Sequence, residues 1–224
     1  MHTYEIEIKS LLGSKENAGQ LIKKMRESDP AFQSLGTHDQ LNHYFQEGDT
    51  KLLYRNLVKY LDKGKTARLK LVLGEAKNLS VRTAKKEAKV FLVVKATIDD
   101  TTSSNGTARL EFESQTNLSL DELDKIVLAS GFKYQAKWSR ERQEFKFKDL
   151  NVTVDKNAGY GYLAEFEKII DDPAKSEETK TSIRDSMEVL GVKELSQDRL
   201  ERMFAFYNAN WQDYYGTEKT FIID

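Results

Sequence analysis

Polar and apolar residues alternate with period two from Thr3 to Leu12, so an extended chain places Glu5, Glu7 and Lys9 on one face and Tyr4, Ile6 and Ile8 on the other. A single strand of this kind is ordinary. Here the pattern repeats: ARLKLVL sets Arg68 and Lys70 against Leu69 and Leu71, FLVVKAT carries Lys95 in an apolar run, and ARLEFES aligns Arg109, Glu111 and Glu113. KWSRERQEFKF aligns Trp138, Arg140, Arg142 and Glu144, DLNVTVDK carries Asp155, and GYLAEFEKII aligns Glu165 and Glu167. HDQLNHYFQEGD adds a strand with Gln40, Asn42 and Tyr44 on its polar face and His43 on the other. Acid pairs and base pairs two residues apart predict one polar surface shared by many strands.

Helical spacing marks other stretches. SKENAGQLIKKMRES places Leu21, Ile22 and Met25 on one stripe and stops at Asp29-Pro30. KLLYRNLVKYLDKG predicts a short helix closed by Gly64. In LSLDELDKIVLASGF, Ser119 and Glu122 form a capping box and Gly131 ends the helix. Beyond Pro173 two more helices are predicted, about 177–190 and 197–214, the second rich in Phe204, Phe206, Tyr207, Trp211 and Tyr214. That stripe suits packing against the strands or a homodimer contact. The charged run from Glu75 to Lys89 reads as a solvated loop or hairpin tip, with a basic flap over a ligand as the alternative. TIDDTTSSNGT reads as a polar turn. The resulting division is a strand-rich domain over 1–172 and a helical extension over 173–224.

Two arrangements accommodate strands with one apolar and one charged face. Helices at about 15–27, 118–130, 177–190 and 197–214 offer enough apolar surface to cover a barrel from outside, which favours charges turned inward. The predicted fold is therefore α+β, a closed eight-stranded antiparallel β-barrel with helices outside and a C-terminal helical extension. Across its 224 residues the chain has a formal net charge of −1, which gives no general basic field for nucleic acid or anionic membranes. Cysteine is absent, excluding disulfides and thiolate metal sites and agreeing with a cytoplasmic location. The sequence also lacks an apolar run long enough for a membrane helix, so neither nucleic acid nor membrane is an expected partner. His38 and His43 lie off the polar face and read as surface residues, not metal ligands.

An inward charged face costs several kcal/mol per ion unless each charge finds a partner, so such a lumen should be wet and should exist for a ligand. Clustered carboxylates without thiol or imidazole favour Mg2+ or Mn2+. Clustered Arg and Lys favour a multiply charged oxyanion. A metal-bound polyphosphate satisfies both.

The segment EIEIK, with Glu5, Glu7 and Lys9, resembles the ExExK signature of the CYTH superfamily, the triphosphate tunnel metalloenzymes, which includes class IV adenylyl cyclases and thiamine triphosphatases. The resemblance continues through QLNHYF, ARLK, VVKAT, ARLEFES, RERQEF, VTVD and GYGYLAEFE, over about residues 1–170. It implies a metal-dependent triphosphatase, or a cyclase releasing pyrophosphate, acting on ATP, thiamine triphosphate or tripolyphosphate. A binding module without turnover is a third class. Carried over by position, Glu5, Glu7, Glu113, Asp155, Glu165 and Glu167 resemble metal ligands. Lys9, Arg68, Lys70, Lys95, Arg109, Arg140 and Arg142 would grip phosphates, and Glu5, Glu7, Lys9 and Lys95 would act in catalysis. Three departures stand out: Lys70 where arginine is common, Asn42 where an acid is frequent, and a long segment between Lys70 and Lys95.

Overall fold

In the computed structural model residues 4–75, 78–97 and 109–223 are described, and the side chains of Glu75, Asn78, Thr97 and Arg109 are not. The order of elements is β1 (Tyr4–Gly13), α1 (Lys15–Ser28), β2 (Gln33–Glu47), α2 (Thr50–Leu57), α3 (Lys63–Glu75), β3 (Asn78–Lys86), β4 (Lys89–Thr97) and β5 (Arg109–Thr116). It continues with α4 (Leu120–Leu128), β6 (Phe132–Phe147), β7 (Leu150–Asn157), β8 (Gly161–Ile170), α5 (Ser176–Leu190) and α6 (Gln197–Asn210). The described residues thus form an α+β fold of antiparallel strands with α-helices. The polar turn expected over 97–107 falls almost wholly outside the described residues. No helix among those described is long and apolar enough to cross a membrane.

The chain divides into two compact units, with the boundaries inside β2 and β6. The first comprises residues 4–39 and 139–223, and in it β6, β7, β8 and β1 pair in that order, each antiparallel to the next. The apolar back of this sheet carries Ile6, Ile8, Val152, Val154, Ala164 and Phe166. It packs against Leu21 and Met25 of α1 and Ile183, Met187 and Leu190 of α5. Each fully buried aliphatic side chain contributes about 1.5–3 kcal/mol, so the two helices are integral to the sheet's stability.

The second unit comprises residues 40–75, 78–97 and 109–138, where β2, β3, β4 and β5 pair antiparallel in sequence order. Its back face holds Phe45, Val81, Leu92, Val94 and Phe112 against Leu53 and Leu57 of α2, Leu69 and Val72 of α3, and Leu123 and Val127 of α4. A polar cluster interrupts this core. Asp124 of α4 accepts from Thr83 at 2.5 Å and Tyr134 at 2.6 Å, and pairs with His43 Nδ1 at 2.7 Å. Burial pushes the Asp124 carboxyl up, but those three hydrogen bonds hold it below the usual carboxylate range. His43, expected at the surface, is buried at 3% exposure because Asp124 gives its ring a partner on the helix-covered face.

The strand expected at ARLKLVL does not exist. These residues form the middle of α3, whose first turn is held by Asp62 Oδ1 accepting from the Lys65 N–H. Ala, Leu, Arg and Lys are all good helix formers, and Leu69 with Val72 supplies the buried stripe. The alternation of Leu69, Leu71 and Leu73 is also compatible with helical burial and misleads in so short a window. Gly64 correspondingly lies inside α3 and stops nothing, because the chain turns earlier, through the 3-10 turn Val58–Tyr60. The missing strand is β3, drawn from the charged run read as loop or flap, with Glu87 at φ 53° making the turn into β4.

Candidate functional site

In the first unit the register places one set of side chains on the face opposite the core. Glu7 opposes Glu167 and Lys9 opposes Glu165 across β1 and β8; Glu165 opposes Thr153 and Glu167 opposes Asn151 across β8 and β7. Arg142 opposes Asp155 and Arg140 opposes Asn157 across β7 and β6. Glu5 shares the face by parity. This is the sorting of charge expected from the alternating sequence, and the charges are largely removed from water. Lys9 and Glu7 are 7% and 9% exposed, and Asp155 is fully buried.

Ion pairs repay that burial. Lys9 Nζ lies 2.7 Å from Glu7 and 3.6 Å from Glu165. Arg142 donates Nε and Nη2 to the two oxygens of Asp155 at 2.7 and 2.6 Å, and Nη2 also reaches Glu165 at 2.7 Å. Arg140 joins Asp155 at 2.7 Å. Burial pushes the Glu165 carboxyl up, yet Lys9, Arg142 and Arg140 together hold it well below the usual carboxylate range. The Arg142 guanidinium, which burial disfavours, is held above its ordinary value by Asp155 and Glu165. The face thus holds three cations, Lys9, Arg140 and Arg142, each fixed by carboxylates that are themselves fixed.

The second unit carries its own polar face. Register aligns Tyr44 of β2 with Arg82 of β3, Ser80 with Lys95, and Lys95 with Glu111, while Glu113 follows on β5. Lys95 stands 3.3 Å from Glu111 and Lys86 stands 3.4 Å from Glu113. Arg82 donates Nη1 to the Tyr44 hydroxyl at 2.9 Å, and its Nε is buried without a hydrogen-bond partner among the described residues. Although burial opposes its charge, Tyr44, Glu111 and Glu113 raise the Arg82 guanidinium above its ordinary value.

Of the residues singled out in the sequence, the structure gathers Glu5, Glu7, Lys9, Arg140, Arg142, Asp155, Glu165 and Glu167 on one sheet face. Lys95 and Glu113 lie on the polar face of the other sheet. Arg68 and Lys70 lie on neither. Arg68 leaves α3 to donate to the Glu111 carbonyl at 3.2 Å, and Lys70 is exposed on that helix. The Arg109 side chain lies outside the described residues. Arg82 and Lys86 are the cations that sequence reasoning missed. Their signal was present in SVRTAKK, whose alternation of Ser80, Arg82 and Ala84 with Val81 and Thr83 was obscured by the flanking charges. Among the described residues no three of His, Asp and Glu converge as a ready metal cage.

No protein-family model matches the sequence, and no curated protein does. Solved structures do match. The PH1819 protein of Pyrococcus horikoshii OT3 is similar over 89% of this chain and 99% of its own, at 22% identity and a TM-score of 0.60. The PH1012 protein of the same organism is similar over 84% and 91%, at 20% identity and 0.59. A candidate adenylate cyclase from Vibrio parahaemolyticus is similar over 92% and 99%, at 10% identity and 0.60. At such identities the likeness shows a shared fold, to which nearly the whole of this chain contributes.

Proposed function

We propose that the chain is a divalent-metal-dependent enzyme of the triphosphate tunnel type, and that it hydrolyses the terminal phosphate of a triphosphate-bearing small molecule. A closed tunnel of eight strands belongs to this proposal. The observation that carries it is the buried, ion-paired face of β1, β6, β7 and β8, where Lys9, Arg140 and Arg142 are fixed by acids. Burying so many charges is costly, and a core of stable packing has no need of them. Support also comes from the structural similarity to a candidate adenylate cyclase, a protein whose chemistry would act on a triphosphate.

Mg2+ or Mn2+ fits the donor set. Glu7 stands directly opposite Glu167, an arrangement of like charges that is unfavourable by itself and that a cation would relieve. Glu5 on the same face completes a set of hard oxygen ligands. Mg2+ characteristically takes one or two carboxylates together with substrate phosphate oxygens. Once bound, the ion would neutralise phosphate oxygens and polarise the phosphoryl group. Lys9, Arg140 and Arg142 would bind and orient the phosphate chain. Water adds to the terminal phosphorus as the bond to the bridging oxygen breaks, releasing orthophosphate and the diphosphate. Since Glu165 and Asp155 are already held by arginines, their ion pairs support a role in aiming those cations.

Incubating the protein with tripolyphosphate, ATP and thiamine triphosphate, each with Mg2+, Mn2+ or a chelator, tests the reading. Metal-dependent orthophosphate release is the expected result. Cyclic AMP with pyrophosphate would replace hydrolysis by cyclisation, and tight binding without turnover in any arm would reduce the protein to a binding module.

A further inference from the structure

Within the second unit, Tyr44 of β2 and Arg82 of β3 meet Trp138 of β6 in a corner where two aromatic rings stand beside a guanidinium. The Tyr44 and Trp138 rings meet edge to face, centroids 6.0 Å apart at 61°. Arg82 stands over the Tyr44 ring at 5.7 Å while bonding its hydroxyl, and retains a buried Nε donor without a hydrogen-bond partner among the described residues. Both rings are half-buried, neither lost in the core nor on open surface. Two aromatic walls beside a guanidinium suit a ligand that is planar at one end and anionic next to it. Inorganic tripolyphosphate has no planar part and would leave the rings unused.

We propose that Tyr44 and Trp138 form, within the second unit, a stacking subsite for the aromatic ring of an organic triphosphate, with Arg82 taking an oxygen of the phosphate nearest that ring. The inference rests on the triphosphate reading and narrows it to organic triphosphates bearing a flat heteroaromatic group. The Tyr44–Arg82 hydrogen bond sets the guanidinium plane, and Nε is the donor still to be satisfied. A stacked base contributes enough to be measured, and stacking tolerates different rings because every base offers a π-face. Purine and thiamine rings are therefore both admissible.

The sequence contains two tryptophans, Trp138 and Trp211, so a Trp211→Phe background makes Trp138 the single indole reporter. Emission is followed while ATP, thiamine triphosphate or tripolyphosphate is added in a chelator, so that no turnover intervenes. The expected result is that at least one organic triphosphate quenches Trp138 and binds about ten-fold or more tighter than tripolyphosphate. Trp138→Phe should retain most of that preference and Trp138→Ala should reduce it to about two-fold, with circular dichroism confirming folding. Equal affinity for all three ligands, with Trp138 emission indifferent, would overturn the subsite while leaving the triphosphate reading intact. Failure of all three to bind, in the chelator and again with Ca2+ in place of Mg2+, would remove both. The comparison within the Trp211→Phe protein decides even if Trp138→Ala fails to fold.

Discussion

Glu165 is held by Lys9 and Arg142 on a face nearly closed to water, and its carboxyl lies well below the ordinary range because those cations outweigh the cost of burial. A folded-state value below the unfolded value of about 4.3 gives a definite pH dependence. The stabilisation is fully present above about pH 4.3 and is lost as pH falls through the folded value. Glu165→Gln keeps the shape and deletes the charge. It should cost about 1–3 kcal/mol at pH 7, the scale for removing one member of a buried ion pair whose partners retain other acids. Urea denaturation from pH 7 down to pH 3 should show the two proteins converging as Glu165 protonates. A gap that persists unchanged at pH 3 would contradict the ionic account. Asp155 makes the complementary point, since its three arginine contacts should keep Arg140 and Arg142 in place when Glu165 is neutralised.

Alternation made β1, β6, β7 and β8 legible as strands, because a polar face buried by ion pairs still repeats every second residue. The capping box of α4 was legible for a local reason, as Ser119 and Glu122 satisfy each other's backbone without tertiary help. The same logic failed at ARLKLVL, where helix propensity and the Asp62 cap outweighed an apparent period of two. It failed again at SVRTAKK, whose charges suggested water although β2 and β4 flank it on both sides. Burial of His43 was illegible because its partner, Asp124, lies 81 residues further on. These exchanges of element carry a functional consequence. If β3 and not α3 supplies the phosphate-binding cation, Arg82→Ala should weaken tripolyphosphate binding by about ten- to a hundred-fold, the equivalent of about 1.5–3 kcal/mol for a hydrogen bond to a charged group. Lys70→Ala should leave it within about two-fold. Calorimetric titration of both variants decides, and the reverse ranking would return the role to the helix.

At the scale of the whole molecule, the final residues are structurally tied to a turn of the sheet that carries the candidate site. Gly159, between β7 and β8, donates its N–H to the Lys219 carbonyl and accepts from the Phe221 N–H, both at 2.8 Å. Its φ of 87° and its surroundings demand glycine, since a Cβ there would meet the Tyr207 ring at 2.7 Å and Phe221 at 3.0 Å. Around that contact Tyr160, Tyr207, Tyr214 and Phe221 pack ring against ring, and the Gly216 N–H donates to the Ser139 hydroxyl. Ser139 also accepts from Ala158 through its carbonyl and precedes Arg140, so the tail fixes the middle of β6, where the cationic run begins. Ending the chain after Trp211 would delete Phe221, Tyr214 and both bonds to Gly159 while sparing α6. About 1 kcal/mol per lost hydrogen bond, together with the exposed aromatic contacts, amounts to about 3 kcal/mol, or a fall in Tm of about 6–12 °C for a chain of this size. Thermal unfolding should show that loss, and tripolyphosphate affinity should fall with it because Arg140 is no longer held from behind. A truncated protein with unchanged melting and unchanged affinity would mean that the tail merely covers the sheet, and that β6 positions its arginines unaided.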